Sequence, residues 1–126
     1  MSKSDTPSVI IPPLGNGEIY AGIVVAKGVP QHHLILLPGE TRASWKGALA
    51  WAKEKNGELP TCVEQALLFA NAADKFQKDW YWSSELYGGG APYARCQYFG
   101  YGCQYCQYHS GKADGLCARA VRRVVI

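Results

Sequence analysis

The sequence predicts an α+β fold: two helices, a small and mostly antiparallel sheet, and a long C-terminal loop region. Three observations carry this reading. Short β-branched runs come early, apolar residues take helical spacing between positions 45 and 70, and β-like sequence returns after a stretch rich in Tyr, Gly and Cys. β-branched residues suit a pleated surface, whereas recurrence at i, i+3, i+4 and i+7 lines one face of a helix. Strands and helices in separate blocks favour α+β over a parallel α/β sheet. At 126 residues the chain is the size of one domain, so separate cofactor and substrate halves are not expected.

In order along the chain, residues 1–18 carry Pro7, Pro12, Pro13, Gly15 and Gly17. Proline removes ladder donors and glycine loosens the backbone, so an N-terminal arm is expected ahead of a single domain over 19–126. Ile19 to Ala26 and residues 32–37 read as strands joined through Lys27-Gly28-Val29-Pro30, a hairpin. Trp45, Ala48, Leu49 and Ala52 mark a helix with Ser44 as its N-cap, stopping at Asn56-Gly57, where Gly57 would take the left-handed cap. Thr61 and Glu64 have the spacing of a capping box ahead of Val63, Ala66, Leu67 and Ala70, a second helix. Trp80-Tyr-Trp-Ser-Ser reads as a strand, broken by Gly88-Gly-Gly and Pro92. Residues 118–126 read as a last strand returning to the first, with Val121, Val124 and Val125 packed and the arginines at its surface.

Composition narrows the function. A net charge of +3, with basic residues scattered apart from Arg119, Arg122 and Arg123, gives no electrostatic footprint for nucleic acid. No run approaches the roughly 18 apolar residues that span a bilayer, so no membrane insertion is expected. The N-terminus lacks the apolar stretch of a secretory signal, so cytoplasmic synthesis without a signal peptide is the expectation. Five cysteines cannot all pair within one chain, which fits a reducing compartment. Catalytic machinery is hard to assemble. Alternation puts one of His32 and His33 inside and one outside, each a satisfied structural histidine. Asp79, Glu85 and Asp114 stand alone, as solvated or capping carboxylates do, and Gly88-Gly-Gly opens no phosphate-binding helix. The chain reads as a protein that is not an enzyme, with no cofactor expected.

The segment 93–117 is of another kind. Seven of the eight tyrosines lie between residues 81 and 108, and four of the five cysteines between 96 and 117, among glycines and glutamines. Tyr offers wide amphipathic contact with two torsions to freeze, and Gly and Ser let the backbone adapt, which is the chemistry of antibody binding loops. The candidate ligand-binding residues are Arg95, Tyr98, Tyr101, Cys103, Tyr105, Cys106, Tyr108 and His109. The other reading of the tyrosines is packing on the core with hydroxyls at the rim. Cys103-x-x-Cys106-x-x-His109, with Cys96 or Cys117 as a fourth ligand, gives the competing class, a small zinc- or thiol-dependent protein. Only one cysteine pair is closely spaced, and Tyr and Gly around Cys103 oppose the helix that redox chemistry needs, so no metal ligand is assigned.

Ile19-Tyr-Ala-Gly, His33-Leu-Ile-Leu-Leu-Pro-Gly, Trp45 with Ala48-Leu-Ala-Trp-Ala, Gly57-Glu-Leu-Pro-Thr, Glu64-Gln-Ala-Leu-Leu-Phe-Ala-Asn, Trp80-Tyr-Trp-Ser-Ser-Glu and Ala118-Arg-Ala-Val-Arg-Arg follow one another in order. Together they resemble small phage and prophage proteins with a C-type-lectin-like fold. That family includes the Lcl-type domains of bacterial adhesins and some variable proteins of diversity-generating retroelements. The resemblance implies a display protein for a protein or cell-surface ligand, with a phage structural partner and association with a virion. It also implies that Phe99, Gly102, Gln104 and residues 118–123 are framework, whereas Arg95, Tyr98, Gly100, Tyr101, Cys103, Tyr105, Cys106, Tyr108 and His109 sit where variants differ. Mutating the adenines of an AAC codon can give Tyr, Cys, Gly, His, Ser, Arg, Asp or Asn, but not Lys, Glu, Gln, Met or Trp, and all these positions fall in the permitted set. The cysteines would then be sampled residues. The calcium and sugar motifs of animal C-type lectins are absent, so calcium-dependent sugar binding does not carry over.

Overall fold

The computed structural model describes residues 10–87, 93–108 and 115–126, with backbone only for 106–108. Strands β1 (Ile19–Ala26) and β2 (Val29–Leu36) form the expected hairpin. They are followed by β3 (Thr41–Ala43), α1 (Trp45–Glu54), α2 (Cys62–Ala72), β4 (Trp80–Leu86), β5 (Tyr93–Tyr98), β6 (Gln104–Tyr108), β7 (Leu116–Ala118) and β8 (Val121–Val125). The fold is α+β, but two sheets replace the single one expected. One has the order β1-β2-β8 and the other β3-β7-β4-β5-β6, antiparallel throughout except for the parallel β4 and β7. The last strand returns to β2, not to β1.

Both helices begin as their caps dictate. The Ser44 hydroxyl accepts from the Gly47 amide at 3.2 Å, and the Thr61–Glu64 capping box is closed in both directions. At the end of α1, Asn56 and not Gly57 takes the positive φ, at 60°. Gly57 is required for another reason: a Cβ there would lie 2.6 Å from both the Val121 carbonyl oxygen and Leu37 Cδ1. It lets the chain after α1 pair with β8 through Glu58 and Val121.

Two apolar clusters hold the layers. Trp82, Ala94 and Cys96, on one face of the five-stranded sheet, pack with Ala48 and Ala52 of α1. Tyr81 of the other face packs with Leu68 of α2, Phe99, and Leu34, Leu36 and Val121 of the three-stranded sheet. The alternation of Tyr81 and Trp82 thus feeds both cores, as period-two side chains must.

The terminal strand departs from expectation. Val121 is fully buried and Val124 half-buried, but Val125 is exposed. The arginines are not simply at the surface. Arg119 donates to the carbonyls of Lys75 and Leu37, and Arg123 reaches the buried Glu64 carboxylate with Nε and Nη2, both at 2.7 Å. His32 Nε2 lies 2.6 Å from the same carboxylate, whereas His33 Nδ1 meets the Tyr20 hydroxyl at 2.8 Å on the opposite face. The two histidines therefore divide as alternation predicts. Burial alone would raise the Glu64 pKa, but Arg123, the Thr61 amide and His32 together hold it below the ordinary carboxylate range.

Candidate binding site

The segment read as a loop is largely strand. β5 and β6 form a hairpin closed by residues 99–102, with the Gly102 amide on the Tyr98 carbonyl at 2.7 Å and the Tyr98 amide on the Cys103 carbonyl at 2.9 Å. Its core-forming content lay in alternate positions: Ala94, Cys96, Gln97 and Phe99 are buried. Phe99 pins the tip, stacking on Phe76 at 3.9 Å between centroids and donating its amide to the Asp79 carbonyl at 3.0 Å. Gly102 has φ +80°, and a Cβ there would meet the Phe69 ring at 2.8 Å. The tip needs glycine on both counts.

Side-chain amides, those of Gln65 and Gln97 buried and that of Gln104 exposed, clamp the hairpin to α2. Gln97 donates Nε2 to the Gln65 carbonyl at 2.8 Å, and Gln65 donates Nε2 to the carbonyls of Tyr81 and Trp82. Gln104 donates to the Gln97 side-chain oxygen and to the Cys62 carbonyl. Glutamines, unremarkable in sequence, thus bridge sheet and helix where apolar side chains would leave backbone carbonyls without donors.

On the α1 side of the sheet, beyond the core, an aromatic strip continues to the surface. Trp80 lies 5.3 Å from Tyr98 and 5.9 Å from Tyr105 between ring centroids, and Tyr98 lies 5.5 Å from Tyr101. Tyr101 is 82% exposed and Tyr105 60%. Tyr98 is half-buried, its ring folded over Gly100, where a Cβ would approach it to 2.3 Å. Of the predicted residues, then, Tyr98, Tyr101 and Tyr105 are brought together, and Cys103 stands exposed beside them in the turn. Trp80 belongs to the strip although the sequence reading assigned it only to a strand. Its i, i+2 relation to Trp82 was the available signal, since one ring of the pair can continue the other's face past the core edge.

Register separates the rest. Arg95 alternates with Cys96 and so lies on the α2 side of the sheet, opposite Cys106 in register. There its guanidinium neighbours the Cys62 thiol, whose pKa is raised mainly by burial and lowered in part by Arg95. The faces meet again at the sheet edge, where Tyr87, Arg95, Gln104 and Tyr105 line a cleft of about 210 Å³. The side chains of Cys106 and Tyr108, and all of His109 and Asp114, lie outside the described residues.

The cysteines proposed as a fourth metal ligand are drawn into separate cores. Cys96 is buried with Trp82 and Ala94, Cys117 with Tyr81 and Leu34. Burial and the neighbouring Asp79 push the Cys117 thiol up to about 11, which disfavours the thiolate that zinc requires. Asp79 and Glu85, read as capping or solvated, both hold structure. Asp79 accepts from the Trp80 amide and from Arg42 at 2.6 Å, and Glu85 accepts from the first amide of α2, that of Cys62, at 2.6 Å. Among the described residues no group of three or more His, Cys, Asp or Glu side chains converges, and no helix is long and apolar enough to cross a membrane. Comparison with protein families, curated proteins and solved structures finds no match.

Proposed function

We propose that this chain is a C-type-lectin-like display domain, the sequence-diversified variable protein of a diversity-generating retroelement in a phage or prophage, binding a protein or cell-surface ligand through its β5–β6 hairpin. One observation carries the reading. Every described position of the expected variable set, Arg95, Tyr98, Gly100, Tyr101, Cys103 and Tyr105, keeps solvent access, whereas Ala94, Cys96, Gln97 and Phe99 of the same hairpin are buried; Gly102 and Gln104, expected as framework, are also accessible and are held by the Phe69 ring and by hydrogen bonds. Residues can change at the first group without emptying the core, and tyrosine there supplies contact area at low entropic cost. Gly100 and Tyr98 vary together, because any side chain at 100 displaces the Tyr98 ring.

Sequencing the gene and its flanks in sibling isolates tests this. Variation confined to those codons, beside a near-copy differing at adenines, is the expected result. An invariant segment with no template copy overturns diversification and leaves a fixed binder.

A further inference from the structure

We propose that the domain forms a twofold dimer through the outer face of its three-stranded sheet, each copy laying its N-terminal arm across the strand ends of the other. The argument begins with the arm. Arg122 of β8 makes a bidentate pair with Glu18, at 2.8 and 3.0 Å, and donates Nη2 to the Pro13 carbonyl at 2.9 Å. The arm is therefore fastened to the sheet. Yet it holds Ile10 85%, Ile11 50% and Leu14 43% exposed, so the anchor presents apolar side chains to solvent.

The sheet beneath has two unlike faces. Leu34, Leu36 and Val121 point inward to the core. Tyr20, Ile35 and Arg122 are in register on the other face, as are Ile23, His33 and Val124. On this outer face Ile35 is fully buried at the end where Arg122 anchors the arm. Ile23 and Val124 are only half-buried, and at the far end Val25 and Ile126 are 51% and 58% exposed. Each copy thus has a projecting apolar arm at one end of the strands and an uncovered apolar patch at the other.

A twofold axis lying between the two facing sheets, parallel to them and perpendicular to the strands, exchanges the two ends. It sets the arm of each copy over the patch of its partner, the self-complementary arrangement that closed twofold symmetry demands. Summed over the arm and the outer face, the exposed apolar residues offer on the order of 650 Å² per copy, near the ~800 Å² that each partner of a stable interface contributes. The aromatic strip lies on the other sheet, so the dimer leaves it free.

Sedimentation equilibrium of the full chain across the micromolar range, with light scattering, tests this. The expected mass is twice the 13.8 kDa of the chain, and Ile10→Glu with Ile11→Glu is expected to give the single-chain mass. Because Ile10 and Ile11 are exposed, their variant is expected to keep the wild-type circular dichroism spectrum. Tyr101→Glu with Tyr105→Glu, on the aromatic strip, is expected to remain dimeric. A wild-type chain that stays monomeric overturns the proposal, as does a dimer that survives the arm variant or is lost with the strip variant.

Discussion

If the hairpin displays residues that the scaffold does not need, removing them must cost little stability, and the structure sets the scale. Tyr101 keeps 82% of its surface in water, so it buries about 40 Å², worth ~1 kcal/mol at most at 25 cal/mol per Å². Tyr105, 60% exposed, buries about 90 Å², an upper bound of ~2 kcal/mol, since part of that area is backbone that Ala also covers. Tyr101→Ala with Tyr105→Ala is therefore expected to cost less than about 3 kcal/mol in total, since both figures are upper bounds. Tyr98→Ala should cost more than either single change, because its ring packs between Trp80 and Gly100. Trp82→Ala empties a site that is 2% exposed and orphans the Ala43 carbonyl that its indole N–H holds at 2.9 Å. Its cost should be about 3–5 kcal/mol. Urea denaturation followed by circular dichroism gives each of these costs. A double tyrosine variant as unstable as Trp82→Ala would refute the separation of face from scaffold.

Two further outcomes follow from the buried groups. Glu64→Gln removes the carboxylate under Arg123 and His32; with Glu58 still pairing Arg123, a loss of about 3 kcal/mol is expected, the low end for a broken buried pair. Because the folded Glu64 pKa is depressed, its contribution is present above the unfolded value of about 4.3 and is lost as pH falls through the folded one. The stability gap between wild type and variant should therefore close below roughly pH 4, and a gap independent of pH would contradict the linkage. Thiol alkylation mapped by mass spectrometry should modify exposed Cys103 in the native protein, but Cys96 and Cys117 only after unfolding. Rapid native labelling of Cys117 would show that its raised pKa and burial are wrong.

Local signals were legible where the chemistry is local. Ser44 and the Thr61–Glu64 box announce their helices because each satisfies orphan amides within one turn. The alternation of His32 and His33 follows from the strand period alone. What could not be read is pairing between distant segments. Nothing near β8 says that it returns to β2, or that β7 lies parallel to β4. Arg123 illustrates the cause: its partner, 59 positions away, is the N3 glutamate of the capping box, already accounted for by helix capping. The hairpin was missed for a related reason. Gln97, Gln104 and Gln65 form its clamp to α2, and glutamine carries no pattern that distinguishes a buried bridge from a solvated side chain. Trp80 was likewise read for its strand and not for the strip it shares with Tyr98 and Tyr105.

The clamp explains how one hairpin can be both fixed and permissive. Strand alternation alone would commit every second residue to a core and leave the other half on a sheet face that α2 also occupies. Here the α2 side is held by amide-to-backbone bonds through Gln97 and Gln104, which fix register at few positions. The α1 side is held by Ala94 and Cys96, small residues that bring the sheet close to its helix. Phe99 and Gly102 then set the tip by stacking and by a backbone angle reserved for glycine. Of the fixing residues, only the glutamines are of a type that adenine mutagenesis of an AAC codon does not supply, whereas Phe99, Ala94, Cys96 and Gly102 are of types that it does. The open positions also use residues that it supplies. A hairpin stabilised through its outward tyrosines would lose register whenever they changed, whereas one stabilised through buried glutamine and phenylalanine keeps its backbone under any sampled set.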